Sequence, residues 1–180
     1  MEESITLKDF LGFYKKTMEM GPVDAGTYSP PALAYIGDAV YELMIRTHVV
    51  SHGSMQVNKM HKKTANLVKA DAQARFYLLL EEELTDAEKA AYRRGRNAKS
   101  FTMPKHATMK DYRMATGFEA LMGYLYLTDS SGELIYHPRQ QLIYAGLLEE
   151  NNLTAAGYPD GSHTETFQGQ QRQVTVKTVG

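Results

Sequence analysis

At 180 residues, with 43% apolar and 23% charged side chains and a net charge of -1, the chain suits one globular domain with flanks and excludes both a disordered polymer and two domains of ordinary size. It contains no cysteine, which excludes a disulfide framework, thiolate zinc sites and a cysteine nucleophile, so any chemistry must use oxygen or nitrogen groups. Its start, MEESITLKDF, has neither a basic nor an apolar leader region, and no run approaches the roughly 18 apolar residues of a membrane span; a cytoplasmic protein with no membrane partner is expected.

Leu7, Phe10, Leu11, Tyr14 and Met18 recur at helical spacing and predict an amphipathic helix over residues 5–20, stopped by Gly21 and Pro22. A connector rich in Gly, Pro and Ser follows. Ser29, Pro30 and Pro31 form a cap and a proline-tolerant first turn, opening a long helix to about Val50. Its apolar residues, Leu33, Ile36, Val40, Leu43 and Met44, cover most of its circumference and predict a central helix contacted on several sides. Further helices are expected after Ser54, with a break near Lys69 to Asp71, after the capping box Thr85 to Glu88, over Lys110 to Thr128, and over Pro138 to Glu150. Gly95 to Met109 lacks periodicity and reads as a flexible basic loop. Beyond Asn151 apolar residues thin out, which predicts a flexible tail; its VTVKTV stretch has strand alternation without an obvious partner. The divisions are residues 1–28, a helical domain over 29–150, and a tail over 151–180.

Charge is unevenly placed along this neutral chain. The intervals between Glu42 and Asp71 and between Glu88 and Asp111 hold no acidic residue but many Lys and Arg. Within them, His61, Lys62, Lys63 and Thr64, then Arg94, Arg96, Asn97 and Lys99 with Lys105 beyond, are candidates for contacting a polyanion; such runs are also commonly just solvated faces. Two acids sit inside apolar helices: Asp38, directly after Gly37, and Glu119 in GFEALMGYLYL. Neither has a base three or four residues away, whereas Glu42 can pair with Arg46. Converging carboxylates are what a hard ion such as Mg²⁺ uses, and Gly37 would admit a close neighbour beside Asp38. His48 and His52 fit a helix C-terminus better than a metal site. Tyr35, Tyr41, Tyr124 and Tyr126 suit core or interface better than base stacking.

IGDAVYEL (Ile36 to Leu43) resembles the signature helix of the ribonuclease III family, and FEALMGYLYL (Phe118 to Leu127) resembles its second catalytic helix. HKKTANLVKADAQA, RRGRNAKSFTMPK and YRMATGFEAL, in order between them, are similar to the compact Mini-ribonuclease III subgroup. The resemblance spans Pro31 to Leu127 and implies an all-α catalytic domain that forms a homodimer. It implies Asp38 and Glu119 as catalytic residues and metal ligands, Mg²⁺ or Mn²⁺ as cofactor, double-stranded RNA as substrate, and maturation of large-subunit ribosomal RNA precursor as the task. Where larger family members carry further acids, this chain has Pro31, Ala34 and Thr116, a reduction the compact subgroup shares. A non-catalytic RNA-binding or ribosome-assembly protein on the same fold, and a helical protein-interaction module, are the competing readings.

Overall fold

A computed structural model describes residues 13–99, 107–128, 130–146, 161–167 and 170–176. Residues 13–17 are helical, the described part of the helix expected over 5–20. Helix α1 (Pro30–Ser51) starts where its prolines cost no backbone bond, and the Ser29 hydroxyl accepts from the Ala32 amide. Helices α2 (Val57–Val68) and α3 (Ala70–Leu80) are separated by one extended residue, Lys69, at the break expected from sequence. After a 3₁₀ turn (Glu81–Glu83), α4 (Asp86–Arg96) opens on a complete capping box between Thr85 and Glu88. Thr108 caps α5 (Met109–Leu127) by accepting from the Asp111 amide at 3.0 Å, and α6 (Ser131–Tyr144) completes the helical body.

The central element is α5, packed on α1, α3, α4 and α6. Its Phe118, Leu121, Met122 and Leu125 are fully buried, and Phe118 takes the edges of Tyr41 and Phe76 at 5.1 and 5.5 Å. Helix α1 is contacted on several sides, as expected, by α5, α2, α4 and α6; its Leu33, Tyr41, Ile45 and Val49 are buried, but Tyr35, Leu43 and Val50 lie open, Tyr35 83% exposed. An apolar circumference does not distinguish a surrounded helix from one with a second apolar face.

Two glycines set the α1 to α5 crossing. A Cβ on Gly37 would collide with the backbone carbonyl of Glu119, and one on Gly123 with that of Leu33. The two main chains therefore touch directly. Gly95 plays the same role between α4 and α5, where a Cβ would come within 2.5 Å of the Ala120 side chain and 2.8 Å of the Thr116 carbonyl oxygen. The flexible loop expected from Gly95 is thus corrected: Gly95 is buried in the last turn of α4, and non-helical chain starts at Asn97. Pro138 lies inside α6 rather than opening it. The first three residues of the VTVKTV stretch, Val174–Val176, find a partner within the tail, where β1 (Gly161–Phe167) and β2 (Gln170–Val176) pair antiparallel with Gly161 opposite Val176; the rest of the stretch lies outside the described residues.

Beside its cap role, Glu88 is buried against His137 of α6, whose Nε2 lies 3.1 Å from Oε1. Burial opposes ionisation of Glu88, but hydrogen bonds from His137 and Thr85 outweigh it and hold the carboxyl at about 2. A carboxyl depressed on folding stabilises above its unfolded pKa, about 4.3, and loses that effect as pH falls toward 2. In denaturant titrations, Glu88→Gln should therefore be less stable than the native chain at neutral pH, with the gap closing between about pH 5 and 2. Gly37→Ala, which drives a methyl into backbone, should cost roughly 3 kcal/mol or more, the upper end for overpacked cores.

Candidate active site

The Gly37 contact fixes what lies next to it. Asp38 follows Gly37 on α1, Glu119 supplies the carbonyl that Gly37 meets on α5, and both side chains line one cleft of about 670 Å³. Asp38 stands exposed at its mouth and Glu119 is half-buried. Tyr35, Glu42, Tyr112 and Thr116 complete its polar lining. Glu42 is turned to Arg46 in an i,i+4 ion pair, as its spacing suggests. Pro31, Ala34 and Thr116, the positions where larger family members carry acids, all line this cleft. The cleft therefore keeps its place while holding fewer charges.

Electrostatics mark the pair as incomplete. Burial first, and then the charge of Asp38, push the Glu119 carboxyl up to about 8, with a hydrogen bond from Gln73 pulling the other way. Asp38 is raised too, by burial and then by Glu42. Two carboxyls raised by burial and by neighbouring acids lack a counter-charge, and oxygen donors of this kind suit a divalent ion such as Mg²⁺ or Mn²⁺ that keeps most of its waters. Among the described residues no group of three or more His, Cys, Asp or Glu converges as a metal cage, so the donor set fits an open site with two protein carboxylates.

The basic candidates divide. His61, Lys62 and Lys63 are exposed on α2, but Thr64 is 6% exposed and faces the core; its candidacy as a contact is withdrawn, because the next residue on a helix turns by about 100°. Arg94 donates to the Tyr28 carbonyl and ties α4 to the connector before α1. Arg96, Asn97 and Lys99 are exposed, and Lys105 lies outside the described residues. Sequence reading missed Arg113, which lines a cavity with Arg96 and Lys110. It falls just past Asp111, outside the acid-free interval, so charge runs gave no signal for it. It also missed Gln73, a fully buried amide; a lone Gln on the apolar face of ADAQARFYLLL was the available clue.

Because Glu119 is protonated more readily in the folded chain than in the unfolded one, metal-free stability should fall as pH rises from about 4.3 through 8. Glu119→Gln should remove that slope and melt higher than the native chain at about pH 9 in chelator, measured by thermal denaturation.

Comparison with known proteins bears on the family and the fold. A family model for the ribonuclease III domain matches residues 31–130. The chain is 50% identical to Mini-ribonuclease 3 of Clostridium tetani over 112 residues, covering 62% of this chain and 74% of the relative. It is 48% identical to Mini-ribonuclease 3 of a Thermoanaerobacter species over 120 residues, covering 67% of this chain and 84% of the relative. A solved structure of a Fusobacterium nucleatum protein superposes with a TM-score of 0.60 at 30% identity, covering 68% of this chain and 96% of that one. With an all-helical body whose Gly-Asp helix crosses the Glu119 helix at one acidic cleft, the chain belongs to the ribonuclease III family of endoribonucleases and, within it, sits with the Mini-ribonuclease 3 proteins.

Proposed function

We propose that the protein is a Mg²⁺-dependent endoribonuclease, with Mn²⁺ able to replace Mg²⁺, that cuts double-stranded RNA during maturation of a large-subunit ribosomal RNA precursor in the cytoplasm. The observation that carries this is the convergence of Asp38 and Glu119 on one open cleft. When bound, a divalent ion supplies activation of a water and neutralisation of charge on the leaving oxygen. Asp38 and Glu119 would hold it from opposite walls, Glu119 giving up its proton as the ion arrives. Lys62, Lys63, Arg96 and Lys99, with His61 and Asn97, present donors to phosphates and 2′-hydroxyls, the features by which duplex RNA is bound. Arg94, already engaged with Tyr28, positions the end of α4.

A homodimer completes the proposal. Tyr35, Leu43 and Val50 form an exposed apolar stripe on α1, flanked by Asp38. Pairing two copies across it would bury the stripe and set two clefts beside one interface, and a C₂ dimer matches the approximate two-fold symmetry of a duplex. The reduced acid count, with Pro31, Ala34 and Thr116 in the cleft, favours as second reading a scaffold that binds RNA without cutting it.

Gel-resolved cleavage of a long duplex RNA at low salt separates the two. The native chain should cut with Mg²⁺ and not with chelator, and Asp38→Asn or Glu119→Gln should each lower the rate at least about 100-fold, the scale on which charge stabilisation operates. Binding without cutting by native and substituted chains alike would establish the scaffold reading instead. Removal of residues 151–180 should leave cleavage intact.

A further inference from the structure

The C-terminal end of α1 carries a second cavity, which the acid cleft does not include. It measures about 330 Å³; Val49 and Leu67 make much of its wall apolar, and its polar groups are His48 of α1, His52 just past the end of α1, and Lys63 and Asn66 of α2. The two imidazoles lie 4.4 Å apart between ring centroids. His52 Nδ1 is 2.8 Å from the His48 carbonyl oxygen; a carbonyl only accepts, so Nδ1 carries the proton and Nε2 is left unengaged by this bond. The Ser51 hydroxyl donates to the same carbonyl. Among the described residues no acidic side chain lines the cavity. His48 is held below the ordinary imidazole range by burial and then by the positive charges of His52 and Lys63, so the groups that meet here repel one another when protonated.

We propose that this cavity is a phosphate-binding pocket, and that on the reading of the protein as a duplex-RNA nuclease its occupant is a backbone phosphate of the bound RNA. Lys63 supplies the permanent charge and Asn66 an amide donor. The His52 imidazole adds a second charged donor once Nε2 is protonated. His48 lies ten residues beyond Asp38 on the same helix, about 15 Å along its axis, and Ala70, just past the end of α2, lines the acid cleft. Helix α2 lines the second cavity, and α3, which follows it after Lys69, reaches the acid cleft at Ala70. A duplex seated on the acid cleft has phosphates at such distances, so the pocket would hold the substrate at a point remote from the bond being cut and fix its register. Occupancy should also favour protonation of His48 against the neighbouring positive charges that lower it, making the interaction stronger at about pH 6 than at pH 8.

The test has two arms, each on the full chain. In the first, inorganic phosphate is titrated at about pH 6 while the histidine ring signals are followed by NMR. Saturable shifts of His48 and His52, weakened at about pH 8 and lost in His52→Gln/Lys63→Gln, are expected. In the second, affinity for a labelled RNA duplex is measured in chelator across a salt series. The double variant should bind about tenfold more weakly, with a log–log salt slope smaller by about one. Both substituted residues are exposed, so folding should survive, and an unchanged melting curve checks that. Phosphate shifts with unchanged RNA affinity would overturn the RNA assignment and leave a free phosphate ester as the ligand. No shift and no change in affinity would overturn the pocket altogether. Either failure would leave cleavage dependent on Asp38 and Glu119, so it is distinguishable from failure of the nuclease reading.

Discussion

Main-chain contact between α1 and α5 is the constraint on which the rest of the structure depends. Gly37 meets the Glu119 carbonyl and Gly123 meets that of Leu33, so the two helices approach more closely than any pair bearing side chains at those points could. This proximity lets Asp38 and Glu119, each on its own rigid helix, line one cleft. Tyr41 and Phe118, edge to face in the core below, hold the crossing from the apolar side. Gly95 brings α4 close to the other flank of α5, against Thr116 and Gly117, though less tightly than Gly37 brings α1. The acidic cleft and the basic end of α4 are in this way both indexed to the same central helix, and α5 sets the distance between the surfaces proposed to hold the metal and the RNA.

The same crossing places charge where water is scarce. Glu119 would be an ordinary acid on the surface; beside Asp38 and half out of solvent, it is held protonated to about pH 8. Such a group lowers stability as pH rises toward 8, and a cation bound beside it must displace its proton. The contrast with Glu88 is instructive. Glu88 is more deeply buried, but His137 and Thr85 satisfy it, and it ionises easily. Burial alone therefore does not separate a site from a structural pair; what separates them is whether the protein itself completes the hydrogen bonding.

Much of this was legible in the residues. The caps at Ser29 and Thr85 mark real helix starts, and the lack of local bases around Asp38 and Glu119 singled out two acids that line one cleft. Gly37 was readable as a point of close approach because a glycine inside a helix costs stability unless something needs the space. Gly95 had the same cause but was read as flexibility, since basic neighbours and no apolar periodicity masked the packed face. Thr64 shows a second limit. A run such as HKKT looks uniform in sequence, yet on a helix its members diverge, and only tertiary packing decides which face turns inward. The Glu88 to His137 pair joins residues 49 apart in sequence, and neither carries a local sign of the other. Pro138 inside α6 shows that a proline's position in a helix depends on what precedes it as much as on its own preference.

The central claim is that Asp38 and Glu119, brought together by the glycine contact, share one divalent ion. Calorimetric titration of the native chain with Mn²⁺ at about pH 7, in two buffers of different ionisation enthalpy, tests it most directly, because a Glu119 carboxyl protonated in the empty site must release its proton as the ion binds. Release approaching one proton per bound ion, with binding lost in Asp38→Asn and proton release lost in Glu119→Gln, is the predicted result. Metal binding that liberates no proton and is unaffected by either substitution would contradict it.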